Sequence, residues 1–163
     1  MSDIDPAVRA ELIPTGALRL AVAVGPTASA TFATEDPATG DLRGPTITLG
    51  TALADQLGVP LRIQRYSNSG EIATAGDRDE WDVTFVPVDA ARGEVIDFGP
   101  DYSLFDSTFL IRAGLEVDTI AELDATGRVI GAIDNTTTGR AAARTLERAE
   151  LETYSSVEQM RTL

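Results

Sequence analysis

The feature that most limits the fold of this chain is a repeated change of hydrophobic period. Leu18, Leu20, Val22 and Val24 recur at every second position with Arg19, Ala21 and Ala23 between them, which is the period of a strand. A helical pattern follows over 46–57, where Leu49, Leu53 and Leu57 share one face. Gly58 ends it, and 59–63 reads as a second strand. A short helix near 71–75 leads to a third strand at 82–86. The alternation starts again after Gly114, with a capping box at Thr119 and Glu122, a strand at 129–133 and an Ala/Arg helix to about 149. A strand at 151–154 and a second capping box, Ser155 to Glu158, complete it. Strands alternating with helices predict an α/β protein with mainly parallel sheets, here in two units.

The connecting segments carry turn and cap chemistry. Asp5 before Pro6 reads as an N-cap with proline at the first helical position, opening a helix that Pro14 and Gly16 stop. The stretch 25–44, with Pro26, Pro37, Gly40 and Phe32, reads as a long loop. One helical turn is expected at 89–94 and an extended apolar run at 107–111.

Composition removes whole classes of chemistry. The chain has 163 residues without cysteine or histidine, and all 13 basic residues are arginine. Disulfides, thiolate nucleophiles, Ser-His-Asp triads, His or Cys metal sites and Schiff-base lysines are therefore excluded. The residues 77–82 invite a calcium reading, but position six lacks the glycine of an EF-hand and position twelve its glutamate. No metal and no cofactor are expected. With 26 acidic residues and a net charge of −13, nucleic acid is an unsuitable partner. No apolar run is long enough to span a bilayer.

Three segments carry a family resemblance. Gly16-Ala17-Leu18-Arg19-Leu20 is similar to an opening G-x-L-R-V strand. The turn Asp89-Ala90-Ala91-Arg92, followed by Ile96-Asp97-Phe98-Gly99-Pro100-Asp101-Tyr102, resembles T-P-E-R and V-D-F-S-x-P-Y. Gly127 to Thr137 resembles G-K-x-V-G-V-x-x-G-T-T. Together they resemble bacterial extracellular solute-binding proteins of the polar amino-acid ABC-transporter type. The resemblance implies a two-lobed type 2 periplasmic-binding-protein fold, α/β, truncated within the second lobe. Lobe I is expected at 1–110, incomplete without a returning segment, and the first part of lobe II at 111–163, with a hinge near 109–114.

The resemblance also implies roles. Arg92 is expected to hold a ligand carboxylate through its guanidinium fork. Thr136 and Thr137, on the opposite lobe, are expected to contact the ligand; ordinary helix capping is the competing reading, and Asn135 is another candidate cap. Asp89 stands where the family has threonine, so it either repels a ligand carboxylate or pairs with Arg92. Phe32 lies near the position of a ring that stacks on ligand, and Phe85 makes the pocket floor more apolar. Phe98, Tyr102 and Trp81 are read as packing residues. Arg140, Arg144 and Arg148 are read as a solvated helix stripe.

The function expected is capture of a small carboxylate-bearing solute, an amino acid or related compound, for an ABC transporter, without chemistry. The alternatives are a cytoplasmic ligand sensor, or a dehydratase-like enzyme acting on a cyclic carboxylic acid through Asp89 and Asp134. Transporter membrane subunits are expected partners, and exposed apolar surface points to a homodimer of the truncated chain. The resemblance implies a periplasmic location. The start Met1-Ser2-Asp3-Ile4 has no signal-peptide pattern, which leaves a cytoplasmic one open.

Overall fold

In the computed structural model, which describes residues 4–161, the period-two segment is strand β1, Leu18–Val24. It lies inside a five-stranded sheet with β2 (Phe32–Glu35), β3 (Leu42–Arg43), β4 (Leu61–Tyr66) and β5 (Val83–Thr84), in the order β3-β2-β1-β4 with β5 also paired to β1. β1 runs parallel to β2, β4 and β5, in register from Leu18 opposite Leu61 to Ala23 opposite Tyr66. β3 returns antiparallel to β2.

Both faces of β1 are buried, as parallel strands covered by helices require. Leu18 packs with Ile13, Ala54 and Leu57, and Leu20 and Val22 pack with Ala33 and Ile47. Ala21 and Ala23 face the other way, towards Ile72 and Val86. α2 (Pro45–Leu57) supplies Ile47, Ala54 and Leu57, α3 (Ser69–Ala75) supplies Ile72, and Ile13 directly follows α1 (Pro6–Leu12). α1 starts as expected, with Asp5 accepting from the Ala7 N–H at 2.8 Å.

The buried face of α2 keeps two of the three expected leucines: Leu57 is buried and Leu53 packs against the same cluster, while Leu49 is 39 % exposed and Thr46, Gly50 and Ala54 turn inward instead. The reason is close approach: a Cβ on Gly50 would lie 2.3 Å from Leu20 Cδ2, so only glycine lets the helix reach the sheet. The stretch read as a loop also contains structure. β2 and β3 form a hairpin whose turn has Asp36 N–H donating to Asp41 O at 2.9 Å and Gly40 N–H donating to Asp36 O at 2.8 Å.

By internal packing the chain divides into two units, Met1–Gly99 and Pro100–Leu163. The second unit holds a parallel pair, β6 (Val129–Ile133) and β7 (Glu150–Tyr154), with helices α4 (Ile120–Leu123), α5 (Thr137–Thr145) and α6 (Val157–Met160). The Thr119–Glu122 capping box forms in full. The second cap is shifted by one residue: Ser156 accepts from Gln159 N–H at 3.3 Å, and Gln159 reaches back to Ser155.

α5 stops at Thr145 rather than continuing to Ala149. Asp124, in the segment after α4, accepts the N–H groups of Glu147, Arg148 and Ala149 at 3.0, 2.8 and 2.7 Å. Those donors are thereby taken out of any longer helix, and Arg148 lies outside the expected stripe. Phe98 and Trp81 pack against the Ala21–Ile72 cluster, with Trp81 Nε1 donating to Ile72 O at 3.0 Å. Tyr102 does not join a core and is 48 % exposed. No strand or helix is assigned over 101–118, which includes the expected apolar run.

Candidate functional site at the carboxyl ends of the strands

Open parallel sheets hold ligands beyond the carboxyl ends of their strands, where loops and helix starts converge. Here β1 and β4 deliver Val24, Tyr66 and Ser67 to that edge, and Asn68 starts α3 by accepting from Gly70 and Glu71 N–H at 2.8 and 3.0 Å. The next residue, Ser69, accepts at Oγ from Arg92 Nη2 at 2.9 Å. Arg92 Nη1 donates to Pro87 O at 2.8 Å. Arg92 opens the 3-10 turn Arg92–Glu94, and its N–H donates to Asp89 Oδ1 at 3.1 Å. Its Nε lies 3.7 Å from Asp89 Oδ2, with side-chain exposures of 2 % for Arg92 and 9 % for Asp89. Asp89 thus pairs with Arg92, and Arg92 ties the start of α3 to the turn after β5.

The two rings go to different places. Phe32 packs against the Ala21, Ala23, Ile72 and Val86 cluster, and Gly25 makes room for it, since a Cβ there would lie 2.9 Å from its ring. Phe85 packs against Leu20, Val22 and Ala33.

Beside this core lies a cleft of about 330 Å³ lined by Val24, Glu35, Arg65, Tyr66, Ser67 and Glu71. Arg65 Nη1 donates to Glu35 Oε2, and Nη2 donates to Gly40 O at 3.0 Å. Glu71 Oε2 accepts from Ser67 N–H at 2.9 Å. Tyr66 donates its hydroxyl to Glu80 at 2.8 Å, and burial, followed by that carboxylate, pushes its pKa up to about 12. Sequence reasoning missed all six lining residues. They come from three strand ends and one helix, so no short motif contains them.

Below the sheet edge, at the start of β5, Arg19 grips Asp82 through Nη2 at 2.6 Å and through its own backbone N–H at 2.8 Å. These hydrogen bonds, with those to Asp79, raise the Arg19 pKa. The acids of the rejected calcium reading are thus used in part to hold β1 against β5.

In the second unit, Thr136 is the cap of α5. It accepts from Gly139 N–H at 3.1 Å and donates to Ile133 O at 2.7 Å. Asn135 does not cap; it takes a positive φ of 54°, and Asp134 accepts its N–H at 2.9 Å. Thr137 is the first helical residue and half-buried. Asp89 and Asp134, the acids of the enzyme alternative, both accept backbone N–H bonds.

No family model matches the chain, and no curated protein matches it. Solved structures do. The ancestral amino-acid-binding protein AncCDT-1, a precursor of cyclohexadienyl dehydratase, matches with a TM-score of 0.79 at 21 % identity, over 95 % of this chain and 68 % of its own. An amino acid ABC transporter substrate-binding protein from Streptococcus pneumoniae, bound to L-arginine, matches at 0.76 and 19 % identity, over 93 % of this chain and 64 % of its own. An ancestral arginine-binding protein bound to arginine matches at 0.70 and 20 % identity, over 90 % and 64 %. This chain has the type 2 periplasmic-binding-protein fold. It spans about two thirds of the length of the structures it matches. Within that fold, Arg92, Ser69 and the cleft all belong to the first unit, at the carboxyl edge of its sheet.

Proposed function

We propose that the chain captures a small carboxylate-bearing solute, an amino acid or a close relative, for an ABC transporter, and makes or breaks no bond in doing so. The observation that carries this reading is the cluster of charged and hydroxyl groups at the carboxyl edge of the parallel sheet, in a fold whose solved examples include proteins bound to arginine and to lysine. Arg92 and Asp89 form the buried part of that cluster, and Phe32 and Phe85 are proposed to line the site with them. In the second unit the proposed contacts are Thr136 and Thr137. Transporter membrane subunits are the proposed partners and the periplasm the proposed location. A homodimer of the chain is proposed for the exposed Leu104, Phe105 and Leu110.

A dehydratase-like reading has one observation in its favour, the likeness to a precursor of cyclohexadienyl dehydratase. It needs a carboxylic acid facing a leaving group. Asp89 instead faces Arg92 and its N–H.

A thermal-shift screen with the twenty amino acids and small carboxylic and hydroxy acids tests the capture reading. One ligand class is expected to raise the melting temperature, with a smaller rise in Ser69→Ala, which loosens Arg92. No rise with any compound would overturn it.

A further inference from the structure

Among the described residues, β6 of the second unit pairs with β7 alone, as a two-stranded sheet. Arg128 O accepts from Glu150 N–H and Asp134 N–H donates to Tyr154 O, both at 2.8 Å. Alternate residues of a strand turn their backbone groups to the same side, so 128, 130, 132 and 134 face β7. Val129, Gly131 and Ile133 therefore face the open edge. The Ile133 carbonyl is taken by the Thr136 hydroxyl at 2.7 Å, which leaves its N–H for that edge.

The two strands differ in how their edges are guarded. β7 carries Glu150 and Glu152, charges of the kind that keep an edge strand from pairing. β6 reads Val129-Ile130-Gly131-Ala132-Ile133, without a charge or a proline, and Val129 is 47 % exposed. Charges stand at its two ends, Arg128 before it and Asp134 after it, at equal distances in sequence from Gly131. Among the described residues Arg128 Nη1 has no hydrogen-bond acceptor, and Asp134 accepts from its neighbour Asn135.

We propose that β6 pairs antiparallel with β6 of a second copy of the chain, about a two-fold axis at Gly131, joining two β6–β7 pairs into one sheet. In this register Gly131 lies opposite Gly131, Val129 opposite Ile133 and Ile130 opposite Ala132. Each Arg128 then lies opposite the partner's Asp134, an opposite-charge pair at both ends of the seam. The Gly131 N–H and carbonyl meet their counterparts, and the Ile133 N–H meets the partner's Val129 carbonyl. The occupant is a second copy because the strand is complementary to itself, as a two-fold interface requires. A slip of two residues in either direction separates both charge pairs, so the pattern fixes the register. The seam deepens the homodimer proposed above and rests on it, whereas solute capture plays no part in it.

Sedimentation equilibrium of the whole chain tests the seam, and the wild type is expected to associate to twice its own mass. Arg128→Asp and Asp134→Arg each set like charges opposite one another at both ends, and each is expected to raise the dissociation constant about tenfold or more. The double exchange Arg128→Asp with Asp134→Arg restores both opposite-charge pairs and is expected to recover most of the affinity. Damage to the fold by either single change would not be undone by the other. Gly131→Cys adds the chain's one cysteine at the axis. Opposed Cα atoms in a hydrogen-bonded antiparallel pair lie about 5.5 Å apart, within the span of a disulfide, so mild oxidation is expected to cross-link the dimer. A dimer indifferent to both charge reversals, or one that forms no cross-link at 131, would overturn the seam and leave the homodimer to another surface. A monomer at every concentration, as when some other strand covers this edge, would overturn the seam and the homodimer together.

Discussion

Asp89 and Arg92 meet within a single turn: the Arg92 N–H donates to Asp89 Oδ1 at 3.1 Å, and Asp89 Oδ2 lies 3.7 Å from Arg92 Nε. Both side chains are nearly out of water, and each charge has the other beside it. The turn that the sequence marks as a ligand clamp is therefore also a structural tie.

Removing the acid should expose that role. Asp89→Ala removes the carboxylate beside a buried arginine, a change that costs roughly 3–5 kcal/mol. Asp89→Asn keeps an oxygen for the Arg92 N–H and should lose less. Urea unfolding of the two variants beside wild type measures both; equal stabilities would show that the pair is not compensating.

Gly50 tests how tightly α2 meets the sheet. Its Cβ would fall 2.3 Å from a methyl group of Leu20, a residue with no exposed surface. Gly50→Ala gains helix propensity but overpacks the core, and the net cost should be about 1–3 kcal/mol. A stability equal to or above wild type would mean the helix shifts freely.

Asp124 links acid pH to the second unit. Its carboxylate is held below the ordinary value by the N–H of Ala149 first, then those of Arg148 and Glu147. A lowered value in the folded state gives stability that is present above about pH 4 and lost as pH falls through the lowered value. Protection of the 147–149 amides, taken as the observed exchange rate relative to the intrinsic rate at the same pH, should therefore fall sharply on acidification. Asp124→Asn should show faster exchange already at pH 7, with a weaker dependence on acid.

Thr136 supplies an ordinary cap to α5. Thr136→Ala should cost about 1 kcal/mol and Thr136→Ser very little. If the alanine variant also loses solute binding by far more than its stability change accounts for, Thr136 contacts ligand as well.

Local signals were legible and distant ones were not. The limits of β1, the Asp5 and Thr119 caps and β6 follow from period and cap chemistry within a few residues, and the structure reproduces them. The β2–β3 hairpin was missed although Asp36, Pro37 and Gly40 are turn residues, because each strand is too short to show a period. The end of α5 was misjudged because Asp124, which captures the following N–H groups, lies 23–25 residues away from them. Leu53 and Leu57 of the expected stripe face the core but Leu49 does not, because the inward face is centred on Gly50 against Leu20, a contact between separate elements. For the site, Arg92 and Asp89 could be named from a turn motif, whereas Arg65 with Glu35 spans two strands that only the sheet order brings together.

The most direct test of the account is calorimetric titration of the amino-acid panel into the chain, followed by mass spectrometry of the recovered solute. Saturable binding of one solute per chain, with the solute recovered unchanged, is the result expected of a capture protein. No saturable heat with any solute, or a solute returned dehydrated, would contradict it.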